Sequence, residues 1–411
     1  MNNIQTLSLK TDKLYFSKGA MVPKGFLFST VETAIKKPGR KDLALIVSQK
    51  EASIAGMFTT NKVKAAPVKL DMKKIRSGMA QAIVVNSGNA NACTGEKGMQ
   101  DSLEIVNRVA AGLMVKPSLV YICSTGVIGV PLPMGRIRQK ISRLTLHLGR
   151  YTLKDVAKAI MTTDTFPKIV SRKIKIGRMT GTITGICKGA GMICPDMATM
   201  LCFIMTDIAV KQKTLDRTLR GAVSNSFNCI TVDGDRSTND TILIMANGML
   251  GNQDITEKST SYNQFNKALS DVTHQLSRMV VKDGEGATKF IEIEVRGAKN
   301  ETDARKAAFA VANSNLVKTA IYGNDVNWGR IMAALGYAGI TLKEERTDIY
   351  LGKIAILKKG IGTGREGKAR EVMKRKEFSI VIDLNIGKAS AKVLTCDLTE
   401  DYVKINASYR T

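Results

Sequence analysis

Two hydrophobic periods alternate along the 411-residue chain. "LALIVSQ" (43–49) and "QAIVVNSG" (81–88) are short apolar runs closed by turn-forming residues, which predicts buried strands. "MQDSLEIVNRVAAGLM" (99–114) carries the 3.6-residue spacing of a helix, and "LVYICSTG" (119–126) is a strand running into a small-residue turn. "TLKDVAKAIM" opens on Thr152 and Asp155, three apart, as a capping box does. "RKIKIGRMTGTITGICK" (172–188) alternates with turns and predicts an antiparallel meander. From Thr199, "TMLCFIMTDIAV" is almost continuously apolar, as in a strand covered on both faces. Helices are expected around 212–227, 261–281 and 303–320, and strands return in "FSIVIDL" and "SAKVLTCDLT". The mixture predicts a layered α/β or α+β architecture. No internal repeat, linker or composition shift marks a domain boundary.

Composition narrows the picture. With 44% hydrophobic and 24% charged residues the chain is globular. It lacks an apolar segment behind a basic N-terminus and any run near the ~18 apolar residues of a membrane span, so a soluble intracellular protein is expected. Seven cysteines form no CxxC pair and are expected as buried free thiols. The net charge of +26 suits anionic ligands, but the basic residues are dispersed and aromatic residues do not alternate with them. A solvated basic surface explains this better than nucleic-acid binding, and no nucleic-acid or membrane partner is expected.

The two histidines, His147 and His274, both belong to solvated positions, which argues against His-dependent triads and metal sites. Gly362, Gly364 and Gly367 spell G-x-G-x-x-G with Asp383 some distance on. That motif lies too close to the C-terminus for the several parallel strands a dinucleotide fold needs. Other polar, glycine-rich stretches are more numerous: "NSGNANACTG" (86–95), "STGVIG" (124–129), "MTTDTFPK" (161–168), "TVDGDRSTNDT" (231–241), "KDGEGATK" (282–289) and "GNDVNWGR" (323–330). Their places at the ends of strands and helices predict loops converging on one polar pocket.

Without a histidine base, a threonine hydroxyl can be activated by a chain-terminal α-amine, whose pKa near 8 suits proton transfer at neutral pH. An internal threonine gains that amine only when the preceding bond is cut. Thr199, after a flexible Gly-rich run and the small Ala198, fits such a device, although a plain strand start accounts for it as well.

"KGAGMICPDMATML" (188–201) resembles the signature of the glutamate N-acetyltransferase, or ornithine acetyltransferase, family of arginine biosynthesis. The polar stretches above and the terminal "CDLTEDYVKINASYRT" resemble that family's blocks, in its order, over essentially the whole chain. The resemblance implies an N-terminal-nucleophile-like fold and self-cleavage between Ala198 and Thr199. The parts, 1–198 and 199–411, would stay together as an α2β2 heterotetramer in the cytoplasm. It implies ping-pong transfer of acetyl from N2-acetylornithine to glutamate through acetyl-Thr199, without metal or cofactor. Thr125 and Gly126 would form the oxyanion hole. Thr162 (or Thr163), Lys188, Thr199, Glu285, Asn406 and Thr411 would contact substrate. Whether acetyl-CoA also serves stays open. A self-processing aminopeptidase is the alternative. The chain departs from the family pattern at Ala190, usually serine, at Asp196, usually asparagine, and at Arg236 and Val326.

Overall fold

The computed structural model describes residues 20–194 and 200–408. Fourteen strands form two sheets among the described residues. Eight belong to the larger one: β1 (Phe26–Val31), β2 (Leu43–Phe58), β3 (Met79–Asn89), β4 (Val120–Val127), β5 (Lys168–Ile176), β6 (Met179–Lys188), β7 (Leu201–Thr206) and β8 (Thr241–Ala246). Their order is β4-β3-β2-β8-β7-β6-β5, with β1 paired to β2. The β3–β4 and β7–β8 pairs are parallel and the others antiparallel.

The unbroken apolar run of β7 follows from two-sided burial. Cys202 and Ile204 pack with Leu215, Leu219, Phe265 and Leu276 of the helices Gln212–Ser224 and Tyr262–Lys282. Leu201, Phe203 and Met205 point the other way, toward Phe26, Phe28 and the helix Leu153–Ala159. Successive strand side chains point to opposite faces, so a strand between two helical layers has no polar position to spare. Helices Gly95–Leu113 and Met134–Leu146 cover the β2–β3–β4 side through Ile105, Val109, Ile137 and Leu144.

The second sheet comprises β9 (Phe290–Ala298), β10 (Asp348–Leu351), β11 (Ile354–Lys358), β12 (Ile361–Gly362), β13 (Glu377–Asp383) and β14 (Ala389–Cys396), in the order β12-β11-β10-β13-β9-β14. It has its own core, with Ala304, Ala308 and Val311 of helix Glu301–Asn313 against Ile293, Val393 and Ile380. The fold is thus mixed α/β in layers, as the alternation of patterns predicts.

Local expectations mostly hold. Thr152 and Asp155 make the reciprocal capping box. The 172–188 meander is the β5–β6 hairpin. Three expectations change. The helix expected over 303–320 is two, Glu301–Asn313 and Asn315–Tyr322, because Ser314 leaves the helical region and caps the second by accepting from Val317 N–H. The cysteines are not all buried: Cys93 is exposed and Cys229 half-buried. The glycine fingerprint is a hairpin at the sheet edge, where β12 pairs antiparallel with β11, and Gly362 lies flat on the Trp328 ring. No helix among the described residues is long and apolar enough to cross a membrane.

Candidate active site

Strand ends gather the polar stretches at one end of the larger sheet. Lys188 ends β6 opposite Leu201 of β7 in the antiparallel register. Thr125 and Gly126 lie near the end of β4 beside Ser87 and Gly88 of β3. Asn239 locks the loop before β8 to both, donating from Nδ2 to the carbonyls of Ala90 (2.7 Å) and Ser124 (2.8 Å). Between these ends is a cavity of about 330 Å³ lined by Thr125, Gly126, Thr162, Lys188, Glu285 and Asn406, among others. Thr163 also borders it. Ala198, Thr199 and Thr411 lie outside the described residues, as does Asp196.

Lys188 is buried, with its Nζ 3.4 Å from Thr125 Oγ1. Burial pulls its pKa down, and Lys168 adds to this, while Asp164 opposes it. Gly126 adopts φ +134°, and a Cβ there would stand 2.2 Å from the Gly88 carbonyl carbon. Only glycine lets the two strand ends approach so closely. Gly191 has a related role: a Cβ on it would fall 2.3 Å from Glu285 Oε2, so its absence admits that carboxylate to the cavity. Asn406 Nδ2 donates to Glu285 Oε2 at 2.9 Å from the helix Glu400–Ser408. Ala190 is buried, and its carbonyl accepts from Glu285 N–H at 2.8 Å. That contact is made by backbone, which a serine-to-alanine difference leaves in place.

A buried charge network braces these loops. Lys168 Nζ donates to Asp164 Oδ1 (2.7 Å) and to Asp283 Oδ2, all three side chains at most 1% exposed. Asp164 also accepts from Gly189 N–H (2.7 Å) and Thr162 N–H (3.0 Å). Asp283 accepts from the Thr165 amide and hydroxyl. Burial alone would raise the Asp164 carboxyl, but Lys188 and Lys168 outweigh it and hold it at about 2. Burial would lower Lys168, yet its carboxylates raise it. One ammonium therefore ties the loops bearing Thr162, Lys188 and Glu285 together.

The flanks of the undescribed segment are fixed by two aspartates. Asp233 accepts from Met192 N–H (2.6 Å) and Ile193 N–H (2.8 Å), and Asp240 Oδ1 from Met200 N–H (2.9 Å). Burial raises Asp233 to about 6 against the pull of its amide donors, and raises Asp240 well above the carboxylate range. Asp164, Lys168, Asp233, Asp240 and Asp283 all sit in the polar stretches singled out from sequence, but no spacing signal assigns them these bracing roles. A buried lysine at a strand start reads like any solvated one.

A recessed hydroxyl beside a buried ammonium and a left-handed glycine, with a carboxylate at the facing wall, defines an enzyme pocket for a small charged molecule. The sequence profile of the ArgJ family matches residues 27–411. The arginine biosynthesis bifunctional protein ArgJ of Geobacter sulfurreducens is 54% identical over 94% of this chain and 99% of its own, and that of Caldanaerobacter subterraneus 51% identical over 95% and 98%. Among solved structures, ArgJ of Bacillus halodurans matches with 43% identity and a TM-score of 0.49, covering 50% of this chain and 98% of its own. The chain belongs to the ArgJ family: it is an acetyltransferase of arginine biosynthesis. The relatives favour acetyl transfer over the hydrolytic aminopeptidase alternative.

Proposed function

We propose that the chain cuts itself between Ala198 and Thr199 and then moves acetyl from N2-acetylornithine to glutamate through Thr199. In the first step the Thr199 hydroxyl attacks the Ala198 carbonyl. The peptide C–N bond breaks, the nitrogen takes the proton, and water hydrolyses the resulting ester to free the Thr199 amine. In transfer, that amine accepts the hydroxyl proton as Oγ attacks the acetyl carbonyl. The amide bond breaks, the departing ornithine amine takes the proton, and Thr199 carries the acetyl as an ester. Glutamate then attacks with its amine, the ester bond breaks, and Oγ regains a proton. Both half-reactions pass through an oxyanion, for which Thr125 Oγ1 and Gly126 N–H are the assigned donors.

The observation that carries this reading is the convergence of Thr125, Gly126, Thr162, Lys188, Glu285 and Asn406, from five separate stretches of sequence, on one cavity. Met200 begins β7 at the same sheet end, which puts Thr199 next in the chain to the anchored Met200 amide. Lys188 offers a cation to a substrate carboxylate and Glu285 an anion to the ornithine ammonium. The two halves, 1–198 and 199–411, would assemble as an α2β2 heterotetramer in the cytoplasm. Intact mass under denaturing conditions, followed by N-terminal sequencing, tests the cut. Incubation with N2-acetylornithine alone should add one acetyl group to the fragment beginning "TMLCFIM", and glutamate should remove it. A single 44.6 kDa species that still transfers acetyl would refute Thr199 as an N-terminal nucleophile.

A further inference from the structure

A second cavity, of about 320 Å³, lies behind the first and shares Thr162 with it. Three cations border it, Lys36, Lys37 and Arg40, all from the loop between β1 and β2. Gly88 forms part of its wall, while Gly126, packed on the Gly88 backbone, belongs to the first cavity. The two spaces thus back onto the same strand ends.

The loop is built to hold its cations there. Asp42 accepts from Thr33 N–H (2.7 Å), Thr33 Oγ1 (2.6 Å) and Ile35 N–H (2.6 Å), curling the chain back on itself. This commits the one carboxylate bordering the cavity to the loop's own donors. The Arg40 guanidinium donates to the Met161 carbonyl, which joins the loop to the segment carrying Thr162. Gly88, at φ +111°, leaves the room that a Cβ would take 3.0 Å from Lys36 Cβ. Partial burial and then the charges of Lys37 and Arg40 pull the Lys36 pKa down. Like charges gathered in a recess cost stability unless an anion offsets them. A single carboxylate brings one charge, whereas a phosphate or diphosphate matches three cations and the planar fork of arginine.

We propose that this cavity binds the phosphate or diphosphate group of a small molecule, and that Lys36, Lys37 and Arg40 hold it. That the remainder of the molecule reaches past Thr162 into the first cavity, as an acetyl donor would, rests on the acyl-transfer reading above. The probe is inorganic pyrophosphate, titrated calorimetrically into the processed protein. The double variant Lys36→Gln/Lys37→Gln should bind it at least ten-fold more weakly and keep its transfer from N2-acetylornithine to glutamate. A control, Lys140→Gln/Arg143→Gln, alters another basic cavity and should bind as the parent does. Equal affinity in parent and Lys36/Lys37 variant, or an equal loss in the control, would overturn the site and leave only the general charge of +26. Competition by pyrophosphate against acetyl-CoA as donor, absent against N2-acetylornithine, assigns the phosphate to a donor. Specific binding without such competition assigns the site to a free phosphate and removes the donor half of the proposal. A parent protein that binds pyrophosphate at this site but transfers no acetyl refutes the acyl-transfer reading alone.

Discussion

Thr125 and Gly126 illustrate how much single atoms decide at this site. Removing one oxyanion donor typically costs a factor of about 10²–10³ in kcat. Thr125→Ala is therefore expected to lower kcat for acetyl transfer by that order, with much less effect on KM, measured as ornithine release. Gly126→Ala should do worse, since its Cβ would meet Gly88 backbone at 2.2 Å, an obstacle that no side-chain rotation removes. Asp233 is readable by pH. Its folded pKa of about 6 lies above its ordinary value of 3.8, so the folded chain keeps a proton that the unfolded chain has lost. Its contribution favours folding below that window and is lost as pH rises from about 4 to about 6. The urea midpoint should carry this falling component in the parent protein, and Asp233→Asn should flatten it. An unchanged slope in the variant would show that Asp233 does not titrate there.

At the scale of elements, Lys168 at the start of β5 braces loops that bear three of the assigned substrate contacts. Removing one partner of a buried ion pair leaves uncompensated charge and costs about 3–5 kcal/mol. Lys168→Met should lose that much in urea unfolding, because Asp164 and Asp283 would face each other without their cation. Restoring balance with Asp164→Asn and Asp283→Asn in the same chain should recover part of the stability. It should not recover KM, because the amide cannot accept from Gly189, Thr162 and Lys168 as the carboxylate does. Recovery of both would reduce the network to a packing role.

For the whole molecule, the proposed cut falls inside the larger sheet's connectivity. Strands β1–β6 precede residue 198 and β7–β8 follow it, yet β7 pairs with β6 and β8 with β2. The halves share one sheet and one core, with Ile183 and Cys187 packed among Ile204, Ile244 and Leu276. Cleavage should therefore leave one species under native conditions, and gel filtration should separate the halves only in denaturant. Separation without denaturant would contradict a shared sheet.

What the sequence determined by itself is the inventory of elements and the set of stretches that carry the chemistry. Period-2 and period-3.6 patterns are local, so the β5–β6 hairpin, the capping box at Thr152 and the two-faced burial of β7 are legible in order along the chain. The glycine-rich polar stretches are legible too, because turn chemistry concentrates in a few residue types. Ser314 was not, since one serine inside a helical period gives little warning of a second cap. The tertiary structure decided everything that depends on pairing across distance. Only the β3–β4 register sets Gly126 on Gly88, and only the packing of three loops turns Lys168 from a strand-start lysine into a buried brace. Long-range contacts leave no periodic trace in the chain, and a charged side chain looks the same in sequence whether water or two aspartates surround it.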